Sequence, residues 1–255
     1  MMKQIIACVK LVPGANQVEL DGQFRLKREN TSLQLNIADL SAVEAALRLK
    51  EAEPETQVTV LSMGPGKAEP ILQELFALGV DRVVLLSDRA LAGADSLATA
   101  KALTAGVRYL GDFSCILCGR RALDAETGQI PGQLAAALDI PVVTNVQQLE
   151  IANGDLSCRR LLETETQLLS VKMPCLVSLC EYTYSLRLPS ILGRRRAKDK
   201  KVEICTAADI GLSPENCGLQ GSKTKVVHVD TKAPGLRKCS YCNPESLCAI
   251  IKGVR

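Results

Sequence analysis

The chain has 255 residues with one His (His228), no Trp, three Phe and four Tyr, but eleven Cys. A single His leaves no room for a His-based triad or a zinc site with several His ligands. The 47% hydrophobic and 23% charged content is that of a soluble globular protein. A chain this long buries enough surface to hold a core without metal or disulfide. The net charge of +3 is too small to argue for nucleic acid, yet it is uneven: residues 1–150 carry −4 and residues 151–255 carry +7. That asymmetry points to a basic surface meeting an acidic partner or an anionic ligand, with a solvated basic face as the alternative.

In chain order, residues 4–9 form an apolar run expected as a strand buried on both faces. Asp21-Gly22 reads as a hairpin turn between Val18–Leu20 and Phe24–Leu26. Residues 41–52 are expected as a helix, with Val43, Ala46 and Leu47 on one face and Asp39 or Ser41 as its cap. Val58–Leu61 reads as a strand running into Gly64-Pro65-Gly66, followed by a helix bearing Ile71, Leu72, Leu75, Phe76 and Leu78. Arg82–Leu86, Cys115–Leu117 and Val142–Thr144 read as strands, residues 95–109 and 129–138 as helices. Strand, turn and helix in alternation specify an α/β fold with a doubly wound, mostly parallel sheet. Ligands of such sheets sit beyond the carboxyl ends of the strands, at the switch point of the strand order.

From about residue 146 the pattern changes. Asn153-Gly154-Asp155 reads as a hairpin turn between Val146–Ile151 and Leu156–Leu162. Residues 167–171 and Cys175–Cys180 follow as strands of an antiparallel addition. Residues 1–212 are thus expected as one α/β domain, and residues 213–255 as an extended tail lying on a partner. The short run Ile5–Val9, cut off by Lys10, is no signal peptide. No apolar stretch approaches the ~20 residues that span a bilayer, so membrane insertion is not expected. Cys8, Cys115, Cys118, Cys175, Cys180 and Cys205 lie in apolar runs and read as reduced thiols of a cytoplasmic protein.

Four loops follow the carboxyl ends of the parallel strands. Met63 to Gly66 opens a helix whose amides could take an anion. It is not the dinucleotide fingerprint, and no phosphate loop ending in Gly-Lys-Ser/Thr occurs. The stretch from Ser87 to Ser96, including Ala94 and Asp95, is long for a strand-to-helix connection, and such loops are commonly functional. Gly119 to Gln129 is polar and feeds a helix. Thr127, Gly128 and Gln129 at its start suit a phosphate or ribityl group, while Asp124 and Glu126 suit ribose hydroxyls or adenine, with a helix-capping loop as the alternative. The run Arg194-Arg195-Arg196-Ala197-Lys198-Asp199-Lys200-Lys201 lacks interleaved aromatics, which speaks against nucleic acid; a docking surface for an acidic partner is the better functional reading, with a solvated loop as the alternative. Cys239, Cys242 and Cys248, with Cys217 upstream, match neither the paired zinc knuckle nor the ferredoxin run. They are therefore read as thiols of a docked tail, with a metal or iron–sulfur cluster as the alternative.

Over residues 2–212 the chain resembles the beta subunits of electron transfer flavoproteins. The matching stretches are Cys8 to Pro13, Asn36 to Asp39 with Ala45 to Glu51, Val60 to Pro65, Ala77 to Arg82, Gly119 to Gln129, Lys198 to Lys201 and Ala207 to Leu212. The resemblance implies a Rossmann-like fold of the adenine nucleotide alpha hydrolase type. It also implies pairing with an alpha subunit whose FAD carries single electrons between an acyl-CoA-type or other flavin dehydrogenase and an acceptor. It implies an adenine nucleotide in the beta subunit itself: FAD in electron-bifurcating members that use NADH, or AMP otherwise. The residues it implies for that site are Cys8, Asn36, Asp39, Met63, Gly64, Asp124, Glu126, Thr127, Gly128, Gln129 and Ile130. The loop Ala94-Asp95-Ser96-Leu97-Ala98-Thr99 resembles the bifurcating type and favours FAD, with AMP as the alternative. Arg187 to Lys198 matches the segment that meets the dehydrogenase. Ile191 and Leu192 are its apolar anchor, with Arg187, Arg194, Arg195 and Arg196 around it. No side chain is assigned catalysis, because a carrier needs only to hold and tune its cofactor. A nucleotide-binding regulatory domain without redox function is the competing reading.

Overall fold

The computed structural model describes residues 2–14, 32–227, 243, 246 and 247. The expected Asp21-Gly22 hairpin, and Cys239, Cys242 and Cys248, lie outside the described residues. The chain opens with β1 (Gln4–Val9), every residue of which is buried, as a run apolar on both faces requires. A two-stranded ribbon follows, β2 (Leu11–Pro13) paired antiparallel with β3 (Leu33–Leu35). Helix α1 (Ile37–Ala52) begins four residues earlier than periodicity suggested, and neither Asp39 nor Ser41 caps it. Asn36 occupies the cap position, and Asp39 lies inside the first turn with its carboxylate turned to the loops beyond the sheet.

Next come β4 (Gln57–Met63), a 3-10 turn at Gly66–Ala68, α2 (Glu69–Gln73), a second 3-10 turn at Glu74–Leu78 and β5 (Arg82–Leu86). The expected single helix over this stretch is thus a short helix set between two 3-10 turns. A further 3-10 turn at Arg89–Leu91 leads to α3 (Ser96–Leu110), β6 (Cys115–Gly119) and α4 (Ile130–Leu138). Strand β7 (Val142–Ala152) is continuous, where the sequence suggested two pieces, and hairpins into β8 (Asp155–Leu161) and β9 (Thr166–Val171). Strand β10 (Cys175–Leu179) precedes α5 (Ile191–Ala197), β11 (Glu203–Cys205) and α6 (Gly218–Gly221).

Among the described residues the main sheet has nine strands in the order β11-β5-β4-β1-β6-β10-β7-β8-β9. It is parallel from β11 to β7 and antiparallel from β7 to β9. One sequence expectation is overturned. Cys175–Leu179 is no part of the antiparallel addition; it inserts parallel between β6 and β7, in the centre of the sheet. Its five residues are all buried, which the apolar run itself signalled. The edge strand β11, parallel to β5, was not foreseen, because three residues with an exposed Ile204 carry little pattern.

Two apolar layers sandwich the sheet. One packs α1 against Ile5, Val60, Leu117 and Val177, the other packs α3 and α4 against Ile6, Leu61, Cys118 and Leu176. Strand neighbours thus alternate faces, as the two-residue period of a strand dictates. Cys8, Cys115, Cys118, Cys158, Cys175, Cys180, Cys205 and Cys217 are buried free thiols. No described helix is long and apolar enough to cross a membrane.

Candidate functional site

From β1 the chain moves outward through β4 and β5, then returns to the other side of β1 as β6. The switch point of the strand order therefore lies between β1 and β6, and the crevice for a ligand opens beyond their carboxyl ends. Lys10 follows β1 there, and the Gly119–Gln129 loop follows β6. The Ser87–Asp95 loop after β5 reaches the same place.

The floor of the crevice is built from α1. Asn36 is 1% exposed; its amide Nδ2 donates to the Arg121 carbonyl at 2.9 Å, and its Oδ1 accepts from the Leu123 amide at 3.2 Å. Asp39, also buried, accepts the Lys10 amide on Oδ2 and the Gly119 amide on Oδ1, both at 2.8 Å. Burial pushes its carboxyl up to about 6, although those amides, Asn36 and Lys10 oppose the shift. Gly119 has to be glycine: a Cβ there would stand 2.4 Å from Asp39 Oδ1 and 2.6 Å from Ala38 Cβ. Asn36 and Asp39 thus spend their polar atoms on loop backbone and hold three chain segments in register. Cys8 lies beneath them; burial, reinforced by the charge of Asp39, pushes its thiol up to about 12.

The polar loops form the walls. Asp124 takes the Lys10 ammonium at 2.6 Å. Glu126 has left-handed backbone at φ 51°, donates its amide to the Ala122 carbonyl and lies 3.8 Å from the Arg121 guanidinium. Thr127, Gly128 and Gln129 are exposed, and the Thr127 hydroxyl makes no hydrogen bond within the described residues. Ile130 begins α4 and packs on the α3 side of the core. The two walls are joined where Ser96 Oγ donates to Gln129 Oε1 at 2.7 Å. Ala94 and Thr99 flank that bridge, half-buried, with the Thr99 amide bonded to the Asp95 carbonyl. Asp95 caps α3 by accepting the Ala98 amide at 2.8 Å.

Two further groups border the crevice loops. Met63 packs half-buried against the core, and the Gly64 amide is bonded to the Leu86 carbonyl at 3.1 Å, so it is not aimed at an anion. The sequence reading also missed Glu181. It follows β10 and pairs with Arg120 at 2.7 Å and Arg121 at 3.0 Å, which anchors the base of the β6 loop. A cavity of about 270 Å³ opens there, lined by Ile37, Arg121, Leu123, Glu181 and Tyr182. Its signal was the Glu-Tyr pair directly after an apolar run, legible only once that run is placed in the sheet centre.

The basic segment is divided. The Arg187 guanidinium is engaged by Glu44, whose side chain is 4% exposed, and by Glu51, so it ties the segment down onto α1. Ile191 and Leu192 are 89% and 53% exposed at the start of α5, which Ser190 caps through the Gly193 amide. Arg194, Arg195 and Arg196 fill the last turn of α5, where cations suit the helix dipole. Cys217 is buried in the α3-side core, and among the described residues no group of three or more His, Cys, Asp or Glu is placed to hold a metal ion.

A doubly wound α/β domain with polar loops converging at its switch point defines the class of α/β proteins that bind a ligand in a crevice beyond the sheet. Comparison with known proteins narrows this. Residues 24–210 match the family model of the electron transfer flavoprotein domain. The chain is 41% identical to an electron transfer flavoprotein subunit beta of Thermoanaerobacterium thermosaccharolyticum, covering 89% of this chain and 87% of that one. It is 38% identical to the caffeyl-CoA reductase-Etf complex subunit CarD of Acetobacterium woodii, covering 88% and 86%. Protein FixA of Azorhizobium caulinodans is 33% identical over 88% of this chain and 83% of its own. The chain belongs to the electron transfer flavoprotein family, on its beta-subunit side.

Proposed function

We propose that this chain is the electron-carrying partner of an alpha-type subunit and holds FAD in the crevice between the β5 and β6 loops, with AMP as the alternative ligand. The observation that carries the reading is the Ser96–Gln129 bridge, which brings two polar loops together over the switch point. The residues left free for a ligand suit a nucleotide: the Thr127 hydroxyl and the backbone of Gly128 stand exposed just ahead of α4, ready for phosphate oxygens. Lys10, paired with Asp124, stands at the mouth. Asn36 and Asp39 then serve the ligand by fixing the loops that touch it.

An isoalloxazine ring, when bound, supplies the one- and two-electron chemistry that this chain's side chains do not. The buried thiols stay protonated and stand aside from it. Exposed Ile191 and Leu192, rimmed by Arg194 to Arg196, fit an acidic-rimmed apolar patch on a flavin dehydrogenase. Relatives named for caffeyl-CoA and acryloyl-CoA reductases support a dehydrogenase of the acyl-CoA type. The test is to purify the chain with its alpha-type partner and count nucleotides. Two flavins per heterodimer match FAD here, and one flavin with one AMP matches the alternative. A heterodimer without flavin would refute electron carriage and favour a regulatory nucleotide-binding role.

A further inference from the structure

Residues 217–224 do not leave the domain. They turn back across it and close on the loop between β5 and α3. Gly218 has left-handed backbone at φ 56°, and a Cβ there would meet the Ala90 carbonyl at 2.0 Å and that of Ala92 at 2.8 Å. Only glycine lets α6 approach so closely. The Leu219 amide donates to the Ala92 carbonyl at 2.9 Å, and Cys217, 1% exposed, anchors the turn in the core.

The contact then converges on one side chain. The Asp95 amide donates to Ser222 Oγ at 2.9 Å, and the Ser222 hydroxyl donates onward to the Gly218 carbonyl at 2.7 Å. Asp95 Oδ1 caps α3, while Oδ2 accepts the Lys223 amide, the Thr224 amide and the Thr224 hydroxyl at 2.8, 2.9 and 3.0 Å. These donors, with the Ala98 amide foremost, hold the Asp95 carboxyl down to about 2. The next residue, Ser96, carries the bridge to Gln129. A continuous path of bonds therefore runs from residues 222–224 through Asp95 and Ser96 to the wall on the far side of the crevice.

We propose that residues 217–224 are an intramolecular clasp that positions the walls of the nucleotide crevice, with Ser222 and Thr224 as its positioning residues. This rests on the reading that the crevice holds an adenine nucleotide. The Ser87–Asp95 loop has only one 3-10 turn of regular structure, so ordering it on binding would cost affinity. The clasp orders it during folding instead. Four donors already engage the Asp95 carboxylate, three of them on Oδ2, so its contribution to the site is chiefly geometric. Coupling is reciprocal: a bound nucleotide that braces Ser96 and Gln129 also holds the clasp shut.

The test uses the complex with the alpha-type subunit, in wild type and in a variant combining Ser222→Ala with Thr224→Val, which keeps shape and removes both hydroxyls. Equilibrium dialysis against AMP and FAD, with the nucleotide per heterodimer determined, should show about tenfold weaker retention in the variant. Amide exchange should quicken at residues 88–96 while β1 and β6 stay protected. Restoring the hydroxyl at position 224 alone, with Thr224→Ser in place of Thr224→Val, should recover part of the loss. Wild-type retention by the double variant, or loss of protection throughout β1 and β6, overturns the clasp. A wild-type heterodimer holding no nucleotide beyond its partner's own overturns the reading on which the clasp rests, and the clasp with it.

Discussion

Asp39 offers the sharpest check on how the crevice floor is held. Its carboxyl titrates near 6 in the folded chain against 3.8 when exposed, chiefly because burial penalises the charge. The folded state therefore binds the proton more tightly than the unfolded state does. The stability this gives is fully present below pH 3.8 and is lost as pH rises through about 6. Between pH 5 and pH 7 the loss amounts to about 1 kcal/mol. Asp39→Asn cannot titrate and lacks this slope. It also turns an amide donor toward either the Lys10 or the Gly119 N–H, which costs about 1–3 kcal/mol at every pH. Urea unfolding of both proteins at pH 5, 6 and 7 reads the two effects separately, since all other titrations cancel in the difference. The wild type should be the more stable throughout, with its advantage shrinking by about 1 kcal/mol from pH 5 to pH 7. An advantage that stays constant or grows with pH would refute the assignment of Asp39 as a carboxyl whose charge is opposed by burial.

Other changes probe the same frame. Gly119→Ala drives a methyl into Asp39 and Ala38, and a fall of at least about 1–3 kcal/mol in unfolding free energy should follow; an unchanged midpoint would show that α1 can retreat. Arg187→Ala strips one of two arginines from the buried Glu44, and about 1–3 kcal/mol of stability should be lost, since Arg48 remains on the carboxylate. Arg187→Lys should recover little, because an ammonium cannot reproduce the fork. Thr127→Ala should weaken nucleotide retention roughly fivefold without altering the unfolding midpoint, and unchanged retention would remove that hydroxyl from the site. Ile191→Asp should slow reduction by the dehydrogenase about tenfold or more while leaving bound flavin unchanged.

The parallel half of the sheet was legible because strands buried on both faces must be continuously apolar, and β1, β5 and β6 are. The same rule describes β10, but its neighbours in sequence are a hairpin, and adjacency suggested an antiparallel role. Strand order is a property of the whole chain, and no local pattern carries it. Loop composition likewise marked the Gly119–Gln129 wall, since polar residues without apolar period have no core to serve. What composition could not give was direction: Asn36, Asp39 and Asp95 face backbone amides, and Arg187 faces Glu44 across 143 positions of sequence. The described part of the segment after residue 212 shows the same limit. Its Gly and Pro content reads as extended chain, yet Gly218 is there to permit close packing on Ala90.

The buried thiols bear on electron carriage. An electron carrier gains nothing from a reactive thiol near its cofactor, because a thiolate there would compete as a redox partner. Cys8 sits directly under the crevice, paired across strands with Cys118, so the risk is real on position alone. Burial removes it: the Cys8 thiol is pushed up to about 12, and those of Cys115 and Cys118 are raised well above 9.0. At pH 8 a thiol titrating near 12 is about a thousandfold less ionised than one at 9.0, and the thiolate is the reacting species. Iodoacetamide at pH 8 should therefore leave Cys8 unmodified in the native heterodimer over hours, as mapped by peptide mass, and modify it readily in urea. Labelling of native Cys8 at the rate of an exposed thiol would show that the floor opens to solvent, and the Asn36–Asp39 frame would then be a loose one.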